Sequence, residues 1–138
     1  MRAMKRAPLM LVIVAGTVLG LAVLFYVATH SGYDSRRYVS EAIKAAESLK
    51  ARVVSYHESK KALPKGGEAQ AFRAEVAQLD RVRAIEWDAS REMVVITMDG
   101  TWYPGKRFGF VAEIREGRIE WVCRPIDIEA KHLPAACR

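Results

Sequence analysis

Hydrophobic and polar positions alternate with three different periods along the chain, and each period predicts a different element. Residues 9–28 are twenty positions without a charge, LMLVIVAGTVLGLAVLFYVA. As a helix this run spans about 30 Å, the thickness of bilayer hydrocarbon, which predicts a transmembrane helix over 9–28. The run exceeds the apolar stretch of about 7–15 residues in a secretory signal. It also leaves through Tyr26-Val27-Ala28-Thr29-His30, a poor cleavage site, so the reading is an uncleaved anchor rather than a removed signal.

Ser31-Gly32 interrupts the helical pattern, and Asp34 or Ser35 is placed to cap a restart. Val39, Ala42, Ala46, Leu49, Val53 and Tyr56 then follow in steps of 3, 4, 3, 4 and 3, one apolar stripe on a helix. This stripe is the expected packing and partner face. Lys44, Glu47, Lys50, Arg52 and Glu58 take the other faces. Pro64 and Lys65-Gly66-Gly67 end the helix. A second, shorter helix is expected over 68–79, with Ala71, Phe72, Val76 and Leu79 facing inward.

Beyond it the period becomes two. Residues 81–87 and 92–98 are β-rich and separated by Asp88-Ala89-Ser90-Arg91, a turn composition. Residues 99–105 form a polar loop carrying Trp102 and Tyr103. Phe108, Phe110, Ala112 and Ile114 alternate with Gly109, Val111, Glu113 and Arg115. After the two-residue turn Glu116-Gly117, the inward set continues through Ile119, Trp121 and Cys123. The predicted fold class is α+β: an N-terminal transmembrane and spine helix packed on a four-stranded antiparallel sheet, followed by a C-terminal loop bounded by cysteines. No internal repeat beyond the two hairpins and no low-complexity tract interrupts it.

Composition changes this picture in two places. The chain has 138 residues, enough for one domain and an appendage, and 51% hydrophobic residues exclude a disordered tail. Its 22 Lys+Arg and 16 Asp+Glu give +6, but Arg2, Lys5 and Arg6 supply half of that excess. Residues 33–138 therefore carry 19 − 16 = +3, well short of a nucleic-acid-binding composition. The basic residues before the apolar run place 1–8 in the cytoplasm and 29–138 outside, by positive-inside logic. Outside is oxidising, and Cys123 and Cys137 can pair there. A bridge across that roughly 15-residue tail is worth about 3 kcal/mol in the chain-entropy model. It reads as a staple, with a redox switch as the alternative.

No catalytic constellation is present. His30, His57 and His132 are scattered, two cysteines cannot build a four-thiolate zinc site, and the glycines at 66–67 and 100–109 form no phosphate loop. The expectation is a protein that is not an enzyme, with no metal, cofactor or small-molecule substrate. His57, beside the stripe, reads as packed or solvated. Lys60, Lys61 and Lys65 read as cations at a helix C-terminus, with a patch for anionic lipid or DNA backbone as the sharper alternative. Trp102 and Tyr103 are either interface anchors or a lid on the sheet, and Trp87 and Trp121 are expected in the core.

The assembled pieces resemble type IV pilins. Gly117-Arg-Ile-Glu-Trp-Val-Cys123, then Ile128 and Lys131-His-Leu-Pro-Ala-Ala-Cys-Arg138, is similar to the last strand and disulfide-bounded tail of that family. Ser35-Arg-Arg-Tyr-Val-Ser-Glu-Ala42, continuing to Ala62-Leu63-Pro64, is similar to the helix by which pilins leave the membrane. The resemblance covers 33–138. It implies a structural role, with pilin subunits or inner-membrane pilus assembly proteins as partners. The N-terminus departs from the family. Aligning Val39-Ser40-Glu41-Ala42 places Arg6 where pilins carry the leader glycine and Leu11 where they carry a glutamate. The expected role is therefore a membrane-resident pilin-like accessory or regulator in the bacterial inner membrane, its domain periplasmic. The alternative is a pilin or minor pilin in a surface filament, serving adhesion, motility or DNA uptake.

Overall fold

The computed structural model describes residues 7–101 and 103–138, with side chains described for 14–27 and from 36 onward. Arg2, Lys5, Arg6 and Trp102, and the side chain of Leu11, lie outside the described residues. The first helix, α1 (Ala7–Lys60), is a single element. It does not break at Ser31-Gly32 as the sequence suggested. One glycine costs about 1 kcal/mol in a helix interior, less than the backbone hydrogen bonds it would forfeit by starting a new helix. By its contacts the chain divides after Asp34, and Ser35–Arg138 is the unit that contains the sheet.

Four strands follow: β1 (Val82–Asp88), β2 (Met93–Met98), β3 (Arg107–Arg115) and β4 (Arg118–Pro125). They form one antiparallel sheet in the order β1-β2-β3-β4, the expected meander. Local chemistry fixes the turns. Glu116 and Gly117 have φ of 50° and 76°, the left-handed pair that a two-residue hairpin loop needs to match strand twist. Between β1 and β2, Asp88 Oδ1 accepts from the Ser90 amide at 2.9 Å, the Ser90 hydroxyl at 2.6 Å and the Arg91 amide at 3.2 Å, an Asx turn.

Register places Ile85, Val94, Ile96, Phe108 and Phe110 in the core with the α1 stripe. Trp87 is buried and meets the half-buried Trp121 edge to face at 6.5 Å, and its Nε1 donates to Pro64 O at 2.8 Å. The inward series on β3 ends at Ala112. Ile114, expected inside, is 50% exposed, because this end of the β3–β4 hairpin outruns the covered part of the sheet.

The expected helix over 68–79 shrinks to one turn, α2 (Gly66–Ala69). Residues 70–71 and 77–78 are turns, and 72–74 run beside β1: Ala74 N donates to Ile85 O and the Trp87 amide to Phe72 O, both at 2.9 Å, around a bridge between Arg73 and Glu86. Phe72, Ala74 and Val76 are half-buried while Ala71, expected inside, is exposed, a period of two. The edge of β1 needed hydrogen-bond partners more than this segment needed a helix. Arg52 of α1 completes the arrangement by donating to Arg73 O and Ala71 O, both at 2.9 Å, over the Phe72 ring. Arg52→Ala is expected to destabilise the domain by about 1 kcal/mol. Amide exchange should accelerate at Ala74 and Trp87 before it does in β3. Unchanged exchange at both amides would show that Arg52 does not hold the edge.

Candidate interaction surfaces

The first five positions of the apolar stripe on α1 belong to the domain's core. Val39, Ala42, Ala46, Leu49 and Val53 are each at most 1% exposed. The stripe's last position is His57 rather than Tyr56. His57 is 7% exposed with Nδ1 unpartnered, whereas Tyr56 is half-buried, edge-on to Phe72, and donates its hydroxyl to Glu68. A step of four from Val53 reaches His57 as readily as a step of three reaches Tyr56. Only the sheet's position separates them. The bond to Glu68 raises the Tyr56 pKa above its ordinary value.

Lys50, on a face beside the apolar stripe, is half-buried. Its Nζ lies 4.4 Å from the Phe110 ring centroid and 5.6 Å from that of Trp121, with Glu47 at 2.8 Å. The aliphatic stem covers the sheet while the ammonium keeps a carboxylate and two ring faces.

Tyr103 is 5% exposed, with its ring 5.2 Å from that of His132. Lys60, Lys61 and Lys65 are all exposed. Lys61 has φ of 56° and ends α1 in the left-handed region, His57 and Lys60 occupy its last turn, and Lys65 Nζ lies 3.9 Å from Glu92 Oε1. Among the described residues, no group of three or more His, Cys, Asp or Glu side chains comes together to hold a metal.

The tail is joined to β4 by a disulfide between Cys123 and Cys137, with Cα atoms 4.6 Å apart. Cys137, Ile128 and Leu133 are buried, so the segment belongs to the core despite having no periodicity. Asp127 anchors its start, accepting from the Arg107 amide and, at 2.8 Å, from Arg107 Nε. Burial pushes the Asp127 carboxyl up, but the two Arg107 bonds outweigh it and the net shift is downward. Asp88 is lowered first by the Ser90 hydroxyl bond. Both folded pKa values are depressed, so their contribution to stability is complete above the ordinary aspartate range. It is lost as pH falls through the folded values. Asp88→Asn keeps a turn acceptor without the titration, and should show a shallower loss of stability on acidification than the parent in urea melts at stepped pH. An equally steep loss would remove Asp88 from the acid response.

One broad apolar surface is exposed. Between residues 14 and 27, Val14, Val18, Leu19, Leu21, Val23, Leu24, Phe25, Tyr26 and Val27 are each more than half exposed. Among the described residues no helix is long and apolar enough to cross a membrane. The expected span over 9–28 lies only partly within them, since the side chains of 9–13 and 28 are not described. Against protein-family models, residues 35–138 match the model for pilin, the bacterial filament protein. No curated protein matches the chain.

Proposed function

Since the chain belongs to the pilin family of bacterial filament proteins, we propose that it is a membrane-anchored, non-enzymatic accessory of the type IV pilus. It acts by binding pilins or assembly machinery. One observation carries the reading: an exposed apolar surface over 14–27, in a segment without a carboxylate from 9 to 28. An apolar, charge-free helix is at rest in lipid. The pilins that this chain resembles carry a glutamate where Leu11 stands. A segment lacking it loses the charge pair that such a residue makes with a neighbour's terminal amine in a filament. Residues 1–8 then lie in the cytoplasm, 9–28 span the inner membrane and 29–138 stand in the periplasm.

The family match favours a second reading, a subunit packed among other pilins in a filament. Intact mass of the membrane-extracted protein, with an immunoblot of sheared surface filaments, separates the two. A full-length mass, less the initiator Met, with signal confined to membranes supports the accessory. A chain shortened near residue 6 and present in sheared filaments overturns it in favour of the subunit.

A further inference from the structure

The sheet has two edges, and the domain closes one of them with its own chain. Residues 72–74 lie along β1, with Ala74 N donating to Ile85 O and the Trp87 amide to Phe72 O. At the other edge β4 pairs with β3 alone among the described residues. Hairpin parity fixes which β4 groups are left over. Arg115 and Arg118 flank the two-residue turn and form a hydrogen-bonded pair, so Glu113 with Glu120 and Val111 with Val122 are bonded pairs too. The Ala112 amide turns the other way, as this alternation requires, and donates to Glu92 O at 2.8 Å. The N–H and C=O groups of Ile119 and Trp121 therefore point out along the edge, and no backbone hydrogen bond engages them. Neither a proline nor a bulge protects 118–122, and the disulfide fastens the tail beyond this stretch, at Cys123.

The two faces beside this edge differ in chemistry. On the inner face a cleft of about 250 Å³ adjoins Ile119, lined by Val54 and His57 of α1 and by Gly117, where a Cβ would meet nothing within 4 Å. Ile114, the cross-strand partner of Ile119, is 50% exposed on that face. On the outer face the charges of the hairpin neutralise one another: Arg115 reaches Glu113 at 2.7 Å and Glu120 at 3.4 Å, and Arg124 reaches Glu113 at 3.8 Å. Arg118 is exposed and, among the described residues, in no ion pair; Glu58 lines the same cleft without pairing to it. We propose that the β4 edge receives an extended segment of a partner protein as a fifth antiparallel strand. In the partner's chain direction the segment reads apolar, any, apolar, acidic, with the apolar residues opposite Trp121 and Ile119 and the acid opposite Arg118. The domain's own cover on β1 has the same design: half-buried Phe72 and Ala74 flank exposed Arg73, which meets Glu86 across the strands at 3.6 Å. The assignment goes beyond the pilus reading and does not depend on it, since an accessory and a filament subunit present the same edge.

The test uses the full chain in dodecyl maltoside micelles, labelled with nitrogen-15 and read at the Ile119, Trp121 and Ala74 amides. The probe is a capped heptapeptide, threonine-valine-threonine-valine-aspartate-threonine-threonine. Saturable shifts and slowed exchange are expected at Ile119 and Trp121, with Ala74 unmoved. Methylating the backbone nitrogen of the second valine, which would donate to Ile119 O, should abolish saturation. Replacing the peptide's aspartate by lysine should weaken binding about fivefold, and Arg118→Glu should restore the lysine peptide while weakening the parent peptide by a similar factor. An unmoved Ala74 amide verifies folding of that variant. No saturation by the parent peptide, equal binding of the methylated one, or shifts centred on Ala74 would overturn the edge site. Protection of Ile119 and Trp121 that rises with protein concentration before any peptide is added would overturn the partner segment in favour of a second copy.

Discussion

Gly109→Ala is expected to lower the stability of the domain by about 3 kcal/mol, an effect at the upper end of ordinary overpacking. Gly109 sits mid-strand in β3, paired with Val95 on one side and Arg124 on the other. A Cβ placed there would lie 2.1 Å from Val94 O, 3.0 Å from Val94 C and 3.1 Å from Met93 Cε. The methionine tip can move, but the carbonyl cannot. It belongs to β2, whose flanking pairs Val94 with Phe110 and Ile96 with Phe108 bring two aromatic rings into the core. Relieving the clash means prising β2 from β3, and the cost falls on the packing of Phe108, which is fully buried. Urea unfolding of the full chain in detergent, followed by near-ultraviolet circular dichroism, should show a lower midpoint with an unchanged slope. A midpoint equal to the parent's would mean that β2 and β3 tolerate a wider separation than the close approach of Val94 to Gly109 implies.

Loss of the Cys123–Cys137 bridge is expected to cost a similar amount. The two cysteines are 14 positions apart, and the chain-entropy model assigns about 3 kcal/mol to a loop of that size. Apart from the Arg107–Asp127 anchor at its start, the tail it closes is held by few bonds. Its two short 3-10 turns, Ala130–His132 and Ala135–Cys137, are each three residues long, and its grip on the core rests on Ile128, Leu133 and Cys137. The Cys123→Ser, Cys137→Ser double variant should therefore unfold at lower urea. The Cys137 amide, which donates to Pro134 O at 2.9 Å, should exchange freely while the β1–β2 pair keeps its protection. In the parent, thiol reagents should label nothing until the protein is denatured and reduced. Ready labelling of native parent, or a double variant as stable as the parent, would show that the bridge is not the staple.

The meander and its hairpin turn were legible because they depend on neighbours in sequence. Alternation of Phe108, Phe110 and Ala112 set the inward face, and Glu116-Gly117 had the composition of a tight turn, which the positive φ values of both residues match. The helical stripe was legible for the same reason as far as Val53. Residues 68–79 were not. Phe72, Val76 and Leu79 fit a helical period, yet Phe72, Ala74 and Val76 also fit a strand, and the decision belonged to unpaired groups on β1. Lys50 and Arg52 lie off the apolar stripe, as the pattern places them, but the pattern does not show what each one meets. Lys50 found two aromatic rings and Arg52 found two carbonyls.

What the sequence determined by itself, then, was whatever short-range periodicity and turn chemistry encode: the uncharged run over 9–28, the apolar stripe, four strands in order, and the cysteines bounding the tail. The resemblance to pilins in 33–138, borne by motifs at the start of the helix and in the tail, was of the same kind. The tertiary structure decided what depends on a partner far along the chain. It sent residues 72–74 to the sheet edge, made Gly109 a position that tolerates no Cβ, ended the stripe at His57, and brought Arg36 and Arg138 into one cleft. The physical reason is common to all four. Hydrogen-bond satisfaction, close approach of backbones and unpaired charge are properties of which surfaces meet. A local pattern can say which face of an element is apolar, but not what will be laid against it.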